Sequence, residues 1–258
     1  MDGFFKTFSS GSCGNASLLS YKGKNILIDV GISARRLSGF LSNVGMKLAD
    51  LDGVLVTHKH MDHIYGLERL LKLSGCTIYA PKQVISLYAA QSERFYPLEQ
   101  ADMISLGNVC VTPFDTDHDV DCFGFCFELD GKKFTYATDL GSVTPTVRER
   151  VLRSEMLFLE SNYDTDMLYS SGYPYFLKTR IDGPNGHLSN RECAQTLLDA
   201  VKSGVSRIIL GHLSKNTNSL ELTKQMVTGS FKEHQPDAWG KFSLEIIPHG
   251  FESALYRL

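Results

Sequence analysis

The stretch from Asp52 to Leu73, "DGVLVTHKHMDHIYGLERLLKL", constrains the fold more than any other. It opens as an apolar β-rich run and passes through three histidines and an aspartate within six positions. It closes with Ile64, Leu67, Leu70 and Leu71 at helical spacing. A buried strand ending at His58, a polar turn and a helix beginning at His63 are expected. The chain has only eight histidines. Gathering three of them here would accumulate positive charge on protonation unless something holds them neutral.

The spacing identifies that something. In an extended segment residues i and i+2 point the same way, so His58 and His60 can chelate one ion while Lys59 and Met61 face elsewhere. Asp62 and His63 lie where the chain turns into the helix and suit a second ion a few Å from the first, a two-metal layout. Histidine with carboxylate accommodates Zn or Mn, with Fe or Ni possible.

The other elements agree with an α/β chain. The β-rich runs "ASLLSY", "KNILIDVG", "CTIYA", "NVCVTPFDT", "FGFCFEL" and "KKFTYATD" come first, and "EMLFLES", "SRIILGH" and "FSLEIIPHG" follow. Helical patterns lie between them, as at Cys193, Ala194, Leu197, Leu198 and Val201. Two packed sheets flanked by helices are expected, in one domain spanning residues 1–258, because no Pro-, Gly- or Ser-rich linker and no repeat divides the chain. With 43% hydrophobic residues the chain can bury a large core. The six cysteines are scattered without a CxxC pair. Cys122 and Cys126 stand four residues apart in a strand-like run, roughly 13 Å, so thiols are expected. No long apolar stretch and no export signal is present, which makes a cytoplasmic protein with no membrane contact the expectation. The net charge of −3 supplies no global attraction for nucleic acid, so such a partner must be held by metal or a local basic patch. The oligomeric state is left open.

The H-x-H-x-D-H cluster after a β-run resembles the defining motif of the metallo-β-lactamase superfamily, which implies a four-layer α/β/β/α sandwich. The resemblance extends the ligand set to His118 in "TPFDTDHDVDCFG", Asp139 after "KKFTYAT" and His212 after "SRIILG", each following a strand. One ion would take His58, His60, His118 and Asp139, the other Asp62, His63, Asp139 and His212. Asp115, Asp117, Asp119 and Asp121 could compete near His118. Two divalent ions, two carboxylates and a bridging hydroxide leave such a cluster slightly positive, which favours an anionic substrate and supplies a nucleophile at neutral pH.

"FSSGSCGNASLL", "ILIDVGISARRL", "LESNYD", "YPYFLKTRI", "GHLSNRECA" and "LGHLSKNTN" together are similar to the YycJ/WalJ family, regarded as metal-dependent 5′→3′ DNA exonucleases. Cys13 and Tyr163 stand where that family is expected to have serine and histidine. Asp62 and His187 are the candidate catalytic residues. Ser189-Asn190-Arg191-Glu192 has the form of a capping box, which places His187 two residues before a helix whose free N–H groups suit a phosphate. His187 could then protonate a leaving oxygen or steady a non-bridging one. Candidate substrate contacts are Ser10, Ser12, Asn15, Lys178, Arg180, Ser189 and Lys215, with the aromatic and basic stretch 169–186 as a nucleic-acid segment. Arg35 and Arg36 read as a solvated helix face. The alternatives are a tRNase Z-like RNA-processing nuclease, a glyoxalase II-like thioesterase, and a non-enzymatic metal-binding or scaffold protein. The short stretch between Asp139 and His212 leaves no room for an inserted β-CASP domain.

Overall fold

A computed structural model describes residues 3–258. In chain order the first elements are β1 (Gly3–Ser9), β2 (Ala16–Tyr21), β3 (Lys24–Ile28), α1 (Ala34–Asn43), β4 (Gly53–Leu55), α2 (Met61–Ile64), α3 (Leu67–Leu73), β5 (Thr77–Ala80), α4 (Lys82–Ile85), β6 (Phe95–Pro97), β7 (Ile104–Leu106) and β8 (Val109–Asp115). Next come β9 (Phe123–Leu129), β10 (Lys132–Ala137), α5 (Pro145–Leu152), β11 (Met156–Glu160), α6 (Thr165–Ser170), α7 (Tyr175–Ile181) and α8 (Asn190–Ser203). The last are β12 (Arg207–Gly211), α9 (Leu220–His234), β13 (Ser243–Ile246) and β14 (Tyr256–Arg257). Two compact units are formed, Met1–Pro113 with Gly250–Leu258, and Phe114–His249. Strand β8 runs across the division.

The first unit carries a seven-stranded sheet in the order β14-β1-β2-β3-β4-β5-β6. Its first half is antiparallel, and β3 to β6 run parallel. Lys22 and Gly23, both at positive φ, close the β2–β3 hairpin in two residues, as the twist of a tight hairpin requires. Phe8, Leu18, Leu27 and Val54 from the strands pack with Leu37 and Leu41 of α1 and Leu67 and Leu70 of α3 in one buried cluster.

In the second unit the order is β13-β12-β11-β10-β9, with β9 antiparallel to β10 and the rest parallel. Asp130-Gly131 makes the same kind of two-residue turn. Its core joins Leu157, Leu159 and Leu210 to Val147 and Val151 of α5, Cys193 and Leu197 of α8, and Val227 and Phe231 of α9. In each unit parallel strands end side by side at one edge, where ligands gather in open α/β sheets.

The helix expected from His63 begins at Met61 and is broken at Tyr65–Gly66 into α2 and α3. Gly66 N–H bonds to the Val30 carbonyl at 2.7 Å, and a Cβ on Gly66 would sit 2.1 Å from the Ile32 oxygen. The close approach of the 30–32 turn, rather than helix propensity, sets this break. All six cysteines are free thiols. No helix among the described residues is long and apolar enough to cross a membrane.

Candidate metal centre

In the first unit His58, His60, Asp62 and His63 occupy the turn between β4 and α3. The ring centroids of His58 lie 4.6 Å from those of His60 and 4.1 Å from those of His63. The i, i+2 pair is therefore together, as its spacing required. His63 is fixed by Asp29, whose Oδ2 accepts from Nδ1 at 2.7 Å. Thr57 holds that carboxylate from the other side, with its N–H on Oδ1 at 2.8 Å and its hydroxyl 3.0 Å from both oxygens. The same hydroxyl lies 3.0 Å from His58 Nδ1. Asp29 is fully buried. Burial pushes its carboxyl above the usual range against the opposing pull of His63 and Thr57.

Asn15 locks this turn to the 11–15 loop. Its Oδ1 accepts from Gly11 N–H at 2.8 Å, its backbone N–H bonds to the Asp62 carbonyl at 2.7 Å, and its Nδ2 lies 2.9 Å from His63 Nε2. A Cβ on Gly31 would fall 1.7 Å from the Asp62 oxygen, so only glycine fits there. Of the other loop candidates Ser10 is buried and Ser12 exposed.

In the second unit Asp139, Glu160, His187 and His212 each place a ligand atom within 4.8 Å of the others. Glu160 organises them. Its Oε2 accepts from His212 Nδ1 at 2.6 Å, from His187 Nδ1 at 3.0 Å and from Asp139 N–H at 3.2 Å, while Oε1 accepts from Leu188 N–H at 2.8 Å. With both Nδ1 atoms so engaged, Nε2 is the nitrogen left to each imidazole for a ligand or a proton. Burial opposes the charge on Glu160, but His187 and His212 outweigh it and hold the carboxyl well below the usual range. On His187 burial acts downward, and Glu160 with Asp139 pulls the imidazole above its ordinary value.

The ring of His118 lies 5.3 Å from that of His187, and its Nδ1 is 3.1 Å from the Gly186 carbonyl. Of the aspartates near it, Asp119 approaches His118 Nε2 at 3.4 Å and is also paired with Arg180, while Asp117 accepts from the Ser142 hydroxyl. Ser189 is the N-cap of α8, its hydroxyl accepting from Glu192 N–H in the expected capping box. Lys178 Nζ donates to the Tyr169 carbonyl at 2.6 Å, and Arg180 is taken by Asp119, so both cations have partners inside the unit. Lys215 is exposed. Tyr163 is buried, and its hydroxyl donates to Asp182, which also accepts from Tyr169.

Asp29, Asp139 and His212 sit at φ 59°, 55° and 56°. Left-handed backbone at a non-glycine costs roughly 1–3 kcal/mol and persists where the surroundings over-determine it. Each lies one or two residues past a strand end. Asp29 and Glu160 were not among the sequence candidates. The signal available was one acid closing an otherwise apolar run, in "NILID" and "MLFLE". The donor set, imidazoles fixed through Nδ1 by buried carboxylates together with further carboxylates, fits divalent metal ions.

A family model described as a Beta-lactamase superfamily domain matches residues 24–213. The chain belongs to the metallo-β-lactamase superfamily. Within it the chain is WalJ/YycJ-like. It is 31% identical over 226 residues to the exodeoxyribonuclease WalJ of Streptococcus pneumoniae serotype 2, covering 84% of both chains. It is 27% identical over 235 residues to the exodeoxyribonuclease YycJ of Bacillus anthracis, covering 89% of both. The metallo-β-lactamase fold protein YhfI of Bacillus subtilis superposes with a TM-score of 0.75 at 18% identity, over 98% of this chain and 99% of that one. The superfamily's α/β/β/α fold, expected from the sequence, is borne out.

Proposed function

We propose that the chain is a metal-dependent 5′→3′ DNA exonuclease. The observation that carries this reading is kinship along most of both chains with proteins named exodeoxyribonucleases. Two divalent ions, Zn or Mn, are assigned to His58, His60, His118 and Asp139, and to Asp62, His63, Asp139 and His212. Such ions supply Lewis-acid polarisation of a phosphoryl oxygen and activation of water at neutral pH. Asp62 would orient the attacking water. His187, tied through Nδ1 to Glu160 and only 23% exposed at its side chain, would present Nε2 to the leaving oxygen and deliver a proton there. Tyr175 and Phe176, 74% and 73% exposed, offer flat faces on which bases can stack.

The test is digestion of end-labelled DNA and RNA, single- and double-stranded, by metal-loaded protein. Release of nucleotides from DNA 5′ ends, abolished by chelation and by blocking those ends, is expected. His187→Ala should keep its metal and lose about 10²-fold or more in turnover. Efficient hydrolysis of a glutathione thioester with every nucleic acid left intact would replace the nuclease with a thioesterase.

A further inference from the structure

A groove of about 630 Å³ lies within the first unit and is lined by Ser33, Arg35, Ser38, Tyr65 and Arg69, with Leu73 at one side. Among the described residues no carboxylate lines it, although the chain as a whole is acidic. Both arginines are exposed, and among the described residues neither has an acidic partner. The nearby acid Glu68 is taken by Lys72 at 2.7 Å. The first turn of α1 contains no acidic residue and instead carries Arg35 and Arg36. Cations at a helix N-terminus oppose the macrodipole, an arrangement that an anion in front of that turn reverses. Tyr65 is 61% exposed on a chain whose other large apolar groups are mostly buried.

The groove is built directly on the histidine turn. Val30 N–H bonds to the His63 carbonyl at 2.8 Å and Gly66 N–H to the Val30 carbonyl at 2.7 Å, so the chain at Val30 is tied to the 63–66 segment. Tyr65 stands two residues beyond His63, and Ser33 two beyond Gly31. By contrast, Lys178 and Arg180 of the 169–186 segment have partners of their own. Two guanidiniums without acidic partners and an exposed aromatic ring lining one groove supply the groups a polynucleotide strand needs, cations for its phosphates and a ring for a base.

We propose that this groove is a track for single-stranded DNA leading from the histidine turn, in which Arg35 and Arg69 hold two backbone phosphates and a base stacks on Tyr65. The assignment rests on the nuclease reading for the identity of the strand. Metal-loaded, full-length protein is titrated with a cleavage-resistant phosphorothioate single strand of about 16 nucleotides, and affinity is followed against salt. Arg35→Ala with Arg69→Ala should make the slope of log affinity against log salt shallower by roughly 1.4, the value for two lost phosphate contacts on a single strand. The corresponding double lysine variant should restore the slope. Arg36→Ala, whose guanidinium lies over Phe40, should leave it unaltered. Tyr65→Ala should weaken binding about fivefold or more without altering the slope. An unchanged slope in the double alanine variant overturns the assignment, as does a slope change seen with RNA and not with DNA. A protein that cleaves no DNA yet shows the predicted slope change keeps the groove and loses the nuclease reading. A protein that cleaves DNA with the slope unmoved does the reverse.

Discussion

Asp29 in the first unit and Glu160 in the second are the same device under different loads. Each is a fully buried carboxylate at the end of a parallel strand, and each accepts from a histidine Nδ1. Asp29 holds one imidazole and is otherwise served by Thr57, so burial dominates and its carboxyl is pushed up. Glu160 holds two imidazoles and two backbone N–H groups, so attraction dominates and its carboxyl is pushed down. The number of imidazole and N–H partners, rather than the depth of burial, decides which way a buried acid moves.

That difference orders the consequences of removing each. Glu160→Ala strips the acceptor from four donors at once, and breaking a buried charged pair costs about 3–5 kcal/mol. Urea unfolding should register a loss of that size. Glu160→Gln retains one acceptor oxygen for two imidazoles, and metal affinity should fall about 10–100-fold on loss of such a support. Asp29→Asn should do less, about 1–3 kcal/mol, because Oδ1 can still take the Thr57 N–H while only His63 faces a competing amide donor. If Asp29→Asn costs as much as Glu160→Ala in the same titration, the load on the carboxylate is not what separates them.

The residues of these clusters were unequally legible. His58, His60 and His63 are neighbours in sequence, so a local spacing rule exposes them. Ser189 as the cap of α8 was legible for the same reason. His118, Asp139 and His212 could be placed only through the superfamily resemblance, since each lies alone at a strand end and nothing local marks it. Asp29 and Glu160 escaped because their histidine partners are 34 residues away for Asp29 and 27 and 52 for Glu160, and one acid at the end of an apolar run looks like a strand boundary. The break of the helix at Gly66 escaped because its cause is the 30–32 turn, a contact that periodicity does not encode. The aromatic and basic stretch 169–186 could be read by composition, but the pairing of Arg180 with Asp119 depends on the fold.

The cysteines offer the smallest effect and a further contrast between the units. Cys13 is exposed on the 11–15 loop. Cys193 is fully buried on α8, and burial pushes its thiol up to about 12. The thiolate is the reactive species, so at pH 8 only about 10⁻⁴ of Cys193 is ionised, and reagent must also reach it. A raised pKa means that reactivity rises only as pH climbs toward 12. Native protein treated with iodoacetamide at pH 8 should therefore be alkylated at Cys13 first, with Cys193 unmodified until denaturant is added, as peptide mass mapping would report. Equal labelling of the two in native protein would mean that the core around Cys193, which Ala194, Leu197 and Leu198 share, opens far more often than a buried helix face should.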